Sequence, residues 1–502
     1  MPPSGTLRQA PSKPVYSWSD RLSQRTLALL VFLIVILPSG WSVLFRRQLG
    51  SMGGMADEWH YLGANLAWNS ILGIGEDPVV FRPPAYPFFV AAVLRLGSAR
   101  PVQISGEYLA RTEQLLYLAH CLVLGCAAVI AYSWFTRFMG RAVAFTAATL
   151  LGTNAYSVVL VGLARYDVVY IASLLAILLA LSRLFAAPLA RARQAWVTGL
   201  VIGAATLVKP LTLLLPPFVL LALGLRGRSW RAAVGTGLLL CAGMALVIAP
   251  WTWRNYSVSG RLIPVNAQMW SAIWGSTVQP LRPAPDHYQW IELGGPLRQI
   301  YIRATGEQDF DIGVWLRKND ALEAEFKRAA LANLRLRPVI YVGNVLRSLY
   351  TLAAHLNTIQ VAAFQELQSG GHFDPWRFGR GHPRPLRHSA ASRAFGAWTA
   401  SLTAAAWLGG VLALWRRDTA LLPVAVLWPC LWIGHSVTYM DIQYYSLKIP
   451  FLFACAFYLV GRLPGWTLRV PWTSRRPSLR GVVSVALAVS GFGLTLWVLA
   501  AG

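Results

Sequence analysis

The sequence predicts an all-α polytopic membrane protein, and three observations support this fold class. Of the 502 residues, 56% are hydrophobic and only 13% are charged, whereas soluble domains carry about 25% charged residues. The mean hydropathy is +0.48. The apolar residues are concentrated in continuous runs of about 16 to 24 residues, long enough to cross a hydrocarbon layer about 30 Å thick. Together these observations exclude a soluble enzyme, a disordered scaffold and a disulfide-built secreted domain.

The apolar runs predict about eleven transmembrane helices. The first run follows a polar tail and is long enough to span the membrane, so we expect a signal anchor rather than a cleaved signal peptide. The predicted spans are 26–45, 113–135, 141–160, 167–186, 195–209, 211–225, 232–252, 396–415, 419–438, 444–462 and 481–500.

The basic loops determine the expected orientation. The 45 Lys and Arg residues outnumber the 20 Asp and Glu residues, which gives a formal net charge of +25. The basic clusters follow the second, fourth, sixth, eighth and tenth spans, which is the pattern of cytoplasmic loops in a bacterial inner membrane. We therefore expect a multi-pass protein with a cytoplasmic N-terminus and no nucleic-acid partner. Arg46 and Arg47 are an exception, because they follow the first span on the opposite side.

The same orientation places two long segments outside the cytoplasm. We expect the second of them to be mostly helical. Its apolar stretch 336–356 is interpreted as a helix on the membrane surface, because one further span would break the alternation of the basic loops. The four predicted regions are a cytoplasmic tail 1–25, an N-terminal transmembrane module 26–256 that includes the outer loop 46–112, an extracytoplasmic segment 257–395, and C-terminal transmembrane helices 396–502.

The sequence lacks the motifs of nucleotide chemistry and of the common zinc proteases. It contains no Walker A motif, no GxGxxG after a strand and no HExxH, which argues against a nucleotide-consuming activity. The five cysteines lie inside apolar runs without metal or disulfide spacing, so we interpret them as small buried apolar residues.

The outer loop contains the sequence DEWHY, in a chain that has few acidic residues. Asp57 and Glu58 begin it, and His60 and Tyr61 follow within one helical turn. One interpretation is structural, because acids stabilise the first turn of a helix. The other is chemical, because a carboxylate at the water–lipid boundary can act as a general base toward a hydroxyl or an amine. The residue types alone leave both interpretations open.

Three further sequences place cations near the predicted outer ends of spans. In RPPAYP the proline restricts Arg82 to an extended backbone, in VKP Lys209 ends the fifth span, and in PWTWRN Arg254 and Asn255 leave the seventh span among aromatic residues. A guanidinium or ammonium group in such a place suits a lipid phosphate. It also suits a long side chain that reaches out of the membrane, or an ordinary aromatic belt.

Two more polar groups lie at the same predicted side of the membrane. Arg165 and Asp167 open the fourth span, where an ion pair within the fold is the favoured interpretation. Ionisable residues near a bilayer usually have a partner or a function. The second group lies between the ninth and tenth spans and consists of His435, Gln443, Tyr444, Tyr445 and Lys448.

These stretches, in this order, resemble the GT-C superfamily of membrane glycosyltransferases. The resemblance is to the glycosyltransferase 39-like branch, which includes protein O-mannosyltransferases and the lipid A aminoarabinose transferase. It covers roughly 25–265 and, more loosely, 395–465. The matched stretches are DEWHY, RPPAYP, VKP, PWTWRNYSVSGRLIPV and, less closely, YYSLKIPFLF.

The resemblance implies a GT-C type fold and a reaction. A sugar would pass, with inversion, from a polyprenyl-phosphate carrier to an extracytoplasmic acceptor, which could be a glycan, a lipid or a protein. Asp57 resembles the catalytic carboxylate and Glu58 its supporting acid, which makes 46–112 the catalytic loop. Arg82, Lys209 and Arg254 resemble or could serve as ligands of the donor phosphate, so a divalent metal is not required, although related branches use one. The further candidates for substrate binding are Tyr61, His60, Asn255, Asp167, His435, Gln443, Tyr444, Tyr445 and Lys448.

Two departures from the family pattern keep other functions open. Gln443 stands where the late motif usually carries Arg, and Tyr166–Asp167 stands where the fourth span usually opens with Ser-Glu. A catalytically inactive scaffold of the same fold is one alternative. A transporter of polyprenyl-linked lipid or sugar is the other, but span interiors nearly free of ionisable residues argue against it.

Overall fold

The structure is a computed structural model, and it describes residues 22–45, 56–97, 106–162, 165–187, 191–226, 229–278, 295–309, 311–354, 390–416, 418–437 and 448–462. Within these ranges the chain is almost entirely helical, and a short antiparallel hairpin pairs β1 (Gly73–Ile74) with β2 (Asp77–Pro78). The helices are α1 (Gln24–Phe45), α2 (Ala56–Asn69), α3 (Ala85–Leu96), α4 (Gly106–Phe135), α5 (Arg141–Thr153), α6 (Ala155–Val161), α7 (Asp167–Ala186), α8 (Arg191–Val208), α9 (Leu215–Leu225), α10 (Trp230–Ser259), α11 (Met269–Thr277), α12 (Pro296–Thr305), α13 (Ile312–Arg317), α14 (Asn319–Leu336), α15 (Pro338–Ala354), α16 (Ala390–Trp415), α17 (Leu422–Val437) and α18 (Ile449–Gly461).

The apolar helices confirm the polytopic all-α class. By length and composition, six helices of the described ranges can cross a membrane, namely Gln24–Trp41, Gln114–Phe135, Asp167–Ala186, Trp230–Ser259, Ala397–Trp415 and Thr419–Val437. The shorter apolar helices are Ala85–Leu96, Ala192–Val208, Pro210–Leu225 and Ile449–Gly461. The predicted span 481–500 lies outside the described residues.

One predicted span, 141–160, is divided into two helices. Asn154 ends α5 with an extended backbone at ψ 136°. Asn is a weak helix former because its side chain competes for backbone hydrogen bonds. The Ser157 hydroxyl donates to the Leu151 carbonyl at 2.8 Å, so this carbonyl keeps a partner where the helix stops.

The buried hydrophobic residues form two clusters. The larger cluster fills the space between the apolar helices, from Leu27 on α1 to Val460 on α18. The smaller cluster lies between the hairpin, the end of α10 and helices α11 to α14, with Trp274 and Phe326 among its largest members. The second cluster therefore joins the loop after α2 to the segment after α10, far apart in sequence.

Helices α8 and α10 pack through glycine at backbone contact. A Cβ added at Gly199 would lie 2.1 Å from the Leu240 carbonyl oxygen, and one added at Gly243 would lie 2.5 Å from the Trp196 carbonyl oxygen. Small residues permit this approach, which is a common way for helices to associate in a bilayer. The contact fixes α10, whose C-terminal end carries Arg254 and Asn255.

We predict that Gly199→Ala lowers the apparent melting temperature of the purified protein. The methyl group would overlap a backbone oxygen that cannot move away, and overpacking of this kind costs about 1–3 kcal/mol. Gly235→Ala on α10 is the matched control, because nothing lies within 4 Å of a Cβ there. Equal melting temperatures for the two variants in detergent would contradict the packing described.

Candidate active site

The predicted catalytic acids lie in the first turn of α2. The helix begins at Ala56, so Asp57 and Glu58 precede Trp59 by one or two positions. The structure describes the backbone of this turn but not the side chains of Asp57, Glu58 and His60. The Trp59 side chain is buried. The first turn is a favourable place for a carboxylate, because the backbone N–H groups there point toward it.

Helix α2 is held tightly against its neighbours. A Cβ at Gly63 would lie 2.3 Å from Val90 Cγ1 on α3. The Asn65 side-chain amide donates to the carbonyls of Gly73 and Gly75, each at 2.9 Å. The Tyr61 hydroxyl accepts the Gly75 N–H at 3.1 Å. Tyr61, a candidate for substrate binding, thus contacts the hairpin.

Arg254 links the hairpin to the end of α10. One terminal nitrogen, Nη1, donates to the Val79 carbonyl at 2.7 Å, and the other, Nη2, donates to the Leu72 carbonyl at 2.9 Å. These two carbonyls belong to the residues that flank the hairpin. The guanidinium carbon also lies 4.9 Å from the ring centre of Trp251. These contacts favour the structural role for Arg254, and its predicted phosphate contact stays a prediction.

Asn255 orders the chain that follows α10. Its side chain is fully buried, and its amide donates to the carbonyls of Ile263 and Val265, each at 3.0 Å. The indole N–H of Trp251 donates to the same Val265 carbonyl at 2.8 Å. Asn255 therefore serves the backbone of the next segment.

That segment in turn holds the backbone next to Arg82. The Ala267 N–H donates to the Val80 carbonyl at 3.0 Å, and the Asn266 amide donates to the Phe81 carbonyl at 3.1 Å. Sequence reasoning did not single out Asn266. An Asn in a turn-rich loop has too many ordinary roles to be recognised without its partner.

Glu323, on α14, holds the first turn of α11. Its carboxylate accepts the backbone N–H of Trp270 at 2.8 Å and of Ser271 at 3.2 Å, in the first turn of α11. Burial raises the pKa of Glu323, and these N–H donors offset part of that rise. The acid thus stabilises a helix N-terminus and joins α11 to α14.

Arg82 lies against two aromatic rings. Its guanidinium carbon is 4.5 Å from the ring centre of Phe81 and 5.1 Å from that of Trp59. A ring face attracts a cation without adding a negative charge. Arg82 is thus placed between α2 and the segment that follows the hairpin.

Besides Arg82, Trp59 contacts two further aromatic residues. Its ring meets Tyr86 edge-on at 5.6 Å and Tyr166 edge-on at 5.5 Å between centroids. Behind it, Tyr86 Oη lies 3.2 Å from His120 Nε2, and His120 Nδ1 lies 3.2 Å from the Val161 carbonyl. A carbonyl can only accept, so Nδ1 carries the proton and Nε2 accepts from Tyr86. Sequence reasoning missed Tyr86 and His120, because a lone His inside an apolar run gives no pattern.

Lys209 contacts Tyr166, the ring that also packs against Trp59. Its ammonium nitrogen lies 5.3 Å from the ring centre of Tyr166 and 5.6 Å from that of Tyr170. Lys209 itself has an extended backbone before Pro210, where α8 ends, as the X-Pro rule requires. Beside it, Arg165 and Asp167 form the ion pair that the sequence predicted, at 3.5 Å and almost fully buried.

His435 and Lys448 complete the cationic group. Both are buried, with 5% and 7% of their surface exposed. Lys209 and Lys448 both lie within electrostatic range of the His435 ring. Gln443, Tyr444 and Tyr445 lie outside the described residues.

The structure thus brings together part of the predicted set. Arg82, Trp59, Tyr166 and Lys209 form a continuous series of contacts, and electrostatic interactions extend it to His435 and Lys448. We call these six residues the cationic site. Among the described residues, no three His, Cys, Asp or Glu side chains converge as a metal site would require.

An open apolar groove of about 610 Å³ runs beside α10. Its lining includes Leu213 and Pro216, which follow Lys209 in sequence, and Met244, Ile248 and Trp253 on α10. The groove is of a size and polarity that suit a hydrocarbon chain.

Comparison of the fold with solved structures gives neighbours at low sequence identity. The archaeal oligosaccharyltransferase AglB from Archaeoglobus fulgidus, in complex with an inhibitory peptide and a dolichol-phosphate, has a TM-score of 0.51 at 13% identity, covering 96% of this chain and 56% of that one. The same oligosaccharyltransferase in the apo form has a TM-score of 0.50 at 12% identity, with the same coverage of 96% and 56%. ArnT from Cupriavidus metallidurans in the apo state has a TM-score of 0.37 at 15% identity, covering 88% of this chain and 78% of that one.

The chain has the GT-C fold. This confirms at the level of the fold the resemblance that the sequence motifs indicated. The chain spans little more than half of the length of the archaeal oligosaccharyltransferase. No family model matches the sequence, and no curated protein does.

We predict that Arg254→Lys destabilises the hairpin and the site next to it. A lysine cannot bond two carbonyls with a planar fork, and a hydrogen bond to a charged group contributes about 1.5–3 kcal/mol. The apparent melting temperature should fall, and proteolysis within 70–81 should become faster.

Arg261→Lys is the control for this change. Arg261 is 60% exposed and faces Asp320 at 3.7 Å, and such surface pairs contribute little. If Arg254→Lys behaves like Arg261→Lys in both measurements, Arg254 does not hold the hairpin.

Proposed function

We propose that this protein is a membrane glycosyltransferase that moves a sugar from a polyprenyl-phosphate carrier to an acceptor outside the cytoplasm. The observation that carries the proposal is the cationic site, in which Arg82 and Lys209 are joined through Trp59 and Tyr166, with His435 and Lys448 within electrostatic range of Lys209 or of each other. Guanidinium and ammonium groups bind phosphate through charge-assisted hydrogen bonds. The residue types of the site therefore support an anionic ligand.

The structures of similar fold support a lipid-linked phosphate as the donor, by analogy. The oligosaccharyltransferase structures were determined with a dolichol-phosphate, or tethered to an acceptor peptide. In the present chain, the apolar groove beside α10 would take the carrier's hydrocarbon chain. Its phosphate would then reach the cationic site at Lys209, which precedes the groove residue Leu213 by four positions in the sequence.

In the proposed reaction, Asp57 acts as the general base and Glu58 supports it. The acceptor oxygen attacks the anomeric carbon from the face opposite the phosphate, and its proton passes to the Asp57 carboxylate. The bond between that carbon and the phosphate oxygen breaks, and the electron pair stays on the phosphate. Arg82, Lys209 and Lys448 stabilise the negative charge that develops there.

Lys448 has a particular place in this proposal. Gln443 stands where the family pattern carries Arg. Lys448 follows five residues later in the sequence and directly precedes α18. Its electrostatic interaction with His435, which it shares with Lys209, supports the idea that Lys448 supplies the missing charge.

The first test is transfer of labelled sugar from a set of polyprenyl-phosphate donors to acceptors in native membranes. Asp57→Asn should reduce transfer by about 10²- to 10⁴-fold, the usual contribution of a general base. Asp77→Asn is the matched control, because Asp77 lies in the hairpin of the same loop and its side chain is 65% exposed. It should retain activity.

Each other outcome speaks against a specific part of the proposal. Full transfer by folded Asp57→Asn would remove Asp57 as the base. Binding of polyprenyl phosphate without transfer by the wild type would favour the inactive scaffold, and movement of the lipid across vesicles without transfer would favour the transporter.

The phosphate site has a test that needs no acceptor. Lys448→Gln should raise the dissociation constant for polyprenyl phosphate by about 10- to 100-fold, since a charged hydrogen bond contributes about 1.5–3 kcal/mol. Lys448→Arg should restore most of the affinity. Lys327→Gln, at an exposed lysine of α14, should bind like the wild type. Unchanged affinity in folded Lys448→Gln would exclude Lys448 from the phosphate site.

A further inference from the structure

Helix α15 presents an apolar face to its surroundings. Leu336, which precedes it, is 79% exposed, and the exposed fractions of Val339, Val342 and Leu346 are 81%, 53% and 60%. The spacings of three and four residues place these side chains along one side of the helix. A stripe of large apolar residues this exposed marks a contact with another apolar phase.

The opposite face of α15 is polar and faces the protein. Asn344 and Ser348 are both buried, and the Asn344 amide donates to the Ser276 carbonyl at the end of α11, at 2.9 Å. In a soluble protein the apolar side would face the core and the polar side would face water. The reversed arrangement indicates that the outer side of α15 is not in water.

Contacts with α17 give the direction of α15. The Tyr341 hydroxyl donates to the Val437 carbonyl at 3.1 Å, and the Trp432 indole donates to the Leu349 carbonyl at 3.1 Å. The two helices are therefore antiparallel along this contact. Trp432 lies five residues before Val437, about 7.5 Å along the helix axis, and α17 belongs to a candidate membrane span. Leu349 is therefore level with the interior of that span, whereas Tyr341 is level with its end.

The surface around α15 continues in both directions. On α17, Ile433 and Val437 are 47% and 37% exposed and extend the apolar surface. Before α15, Arg335 and Arg337 are exposed on either side of Leu336. Cations followed by an apolar stripe match the order of a lipid, phosphate first and hydrocarbon next.

We propose that α15 inserts into the leaflet nearer to the cationic site, with Arg335 and Arg337 at the phospholipid phosphates and Leu346 among the acyl chains. The occupant of the exposed face is phospholipid. This differs from the helix lying flat on the surface that the sequence predicted, because the α17 contacts carry α15 below the surface. The insertion does not depend on the proposed transfer reaction.

The test maps lipid contacts on the wild-type protein in phosphatidylglycerol nanodiscs. Two photoreactive phospholipids are used, with a diazirine next to the headgroup or near the end of an acyl chain, and adducts are located by peptide mass spectrometry. Headgroup adducts are expected at Leu336 and Val339, and acyl-chain adducts at Leu346. Lipid-facing Leu408 on α16, which is 61% exposed, is the positive control, and α12 should stay unlabelled.

Three results would overturn the proposal. Equal headgroup labelling of Val339 and Leu346 would mean a flat helix. No labelling of α15, with Leu408 labelled, would mean that water or protein covers the face. Cross-linked pairs of chains through Leu346 would mean a second copy there.

A double variant and a control variant test the contact between the two arginines and the lipid headgroups. Arg335→Gln combined with Arg337→Gln should reduce headgroup adducts at Leu336 several-fold, while acyl-chain adducts at Leu408 stay constant. Lys318→Gln, at an exposed lysine before α14, should leave all adducts unchanged. Undiminished headgroup labelling in the double variant would remove the arginines from the lipid contact.

Discussion

The hydrogen bonds from one guanidinium group to two backbone carbonyls hold the site side of this protein together. Arg254 reaches from the end of α10 to Leu72 and Val79, on either side of the hairpin. These bonds act together with the smaller hydrophobic cluster, in which Leu72 and Val79 are buried, and hydrogen bonds to a charged group are among the stronger ones. The extended segment that follows the hairpin ends at Arg82, and the first turn of α2 precedes it. The position of the backbone that leads to Arg82, the proposed phosphate ligand, therefore depends on this contact.

The second constraint concerns two cations, Arg82 and Lys209, that lie in largely apolar surroundings. Aromatic rings flank both Arg82 and Lys209. Trp59 lies against Arg82 and also contacts Tyr166, which lies against Lys209. The face of an aromatic ring attracts a cation electrostatically. The acid that the structure describes next to this group, Asp167, is paired with its own arginine, Arg165.

The fold class and most helices could be predicted from the sequence, because long apolar runs have few other solutions in a bilayer. The break at Asn154 could not, since a single Asn in an apolar run is tolerated as often as it ends a helix. For the site, the motifs indicated the right stretches but could not divide the roles within them. Arg254 and Arg82 have the same chemistry in the sequence, and only their partners, carbonyls for one and rings for the other, distinguish them. Trp59, Tyr86 and His120 were missed because contact between three distant helices leaves no periodic signal.

The bonds of Arg254 also have a consequence for the order in which the chain matures during its synthesis. The residues they join are 175 and 182 positions apart. Until the ribosome has produced α10, the carbonyls of Leu72 and Val79 lack the guanidinium that bonds them in the finished protein. The hairpin therefore acquires these two bonds late, after α4 to α9 have been made. A nascent chain arrested before α10 would carry the hairpin without this link.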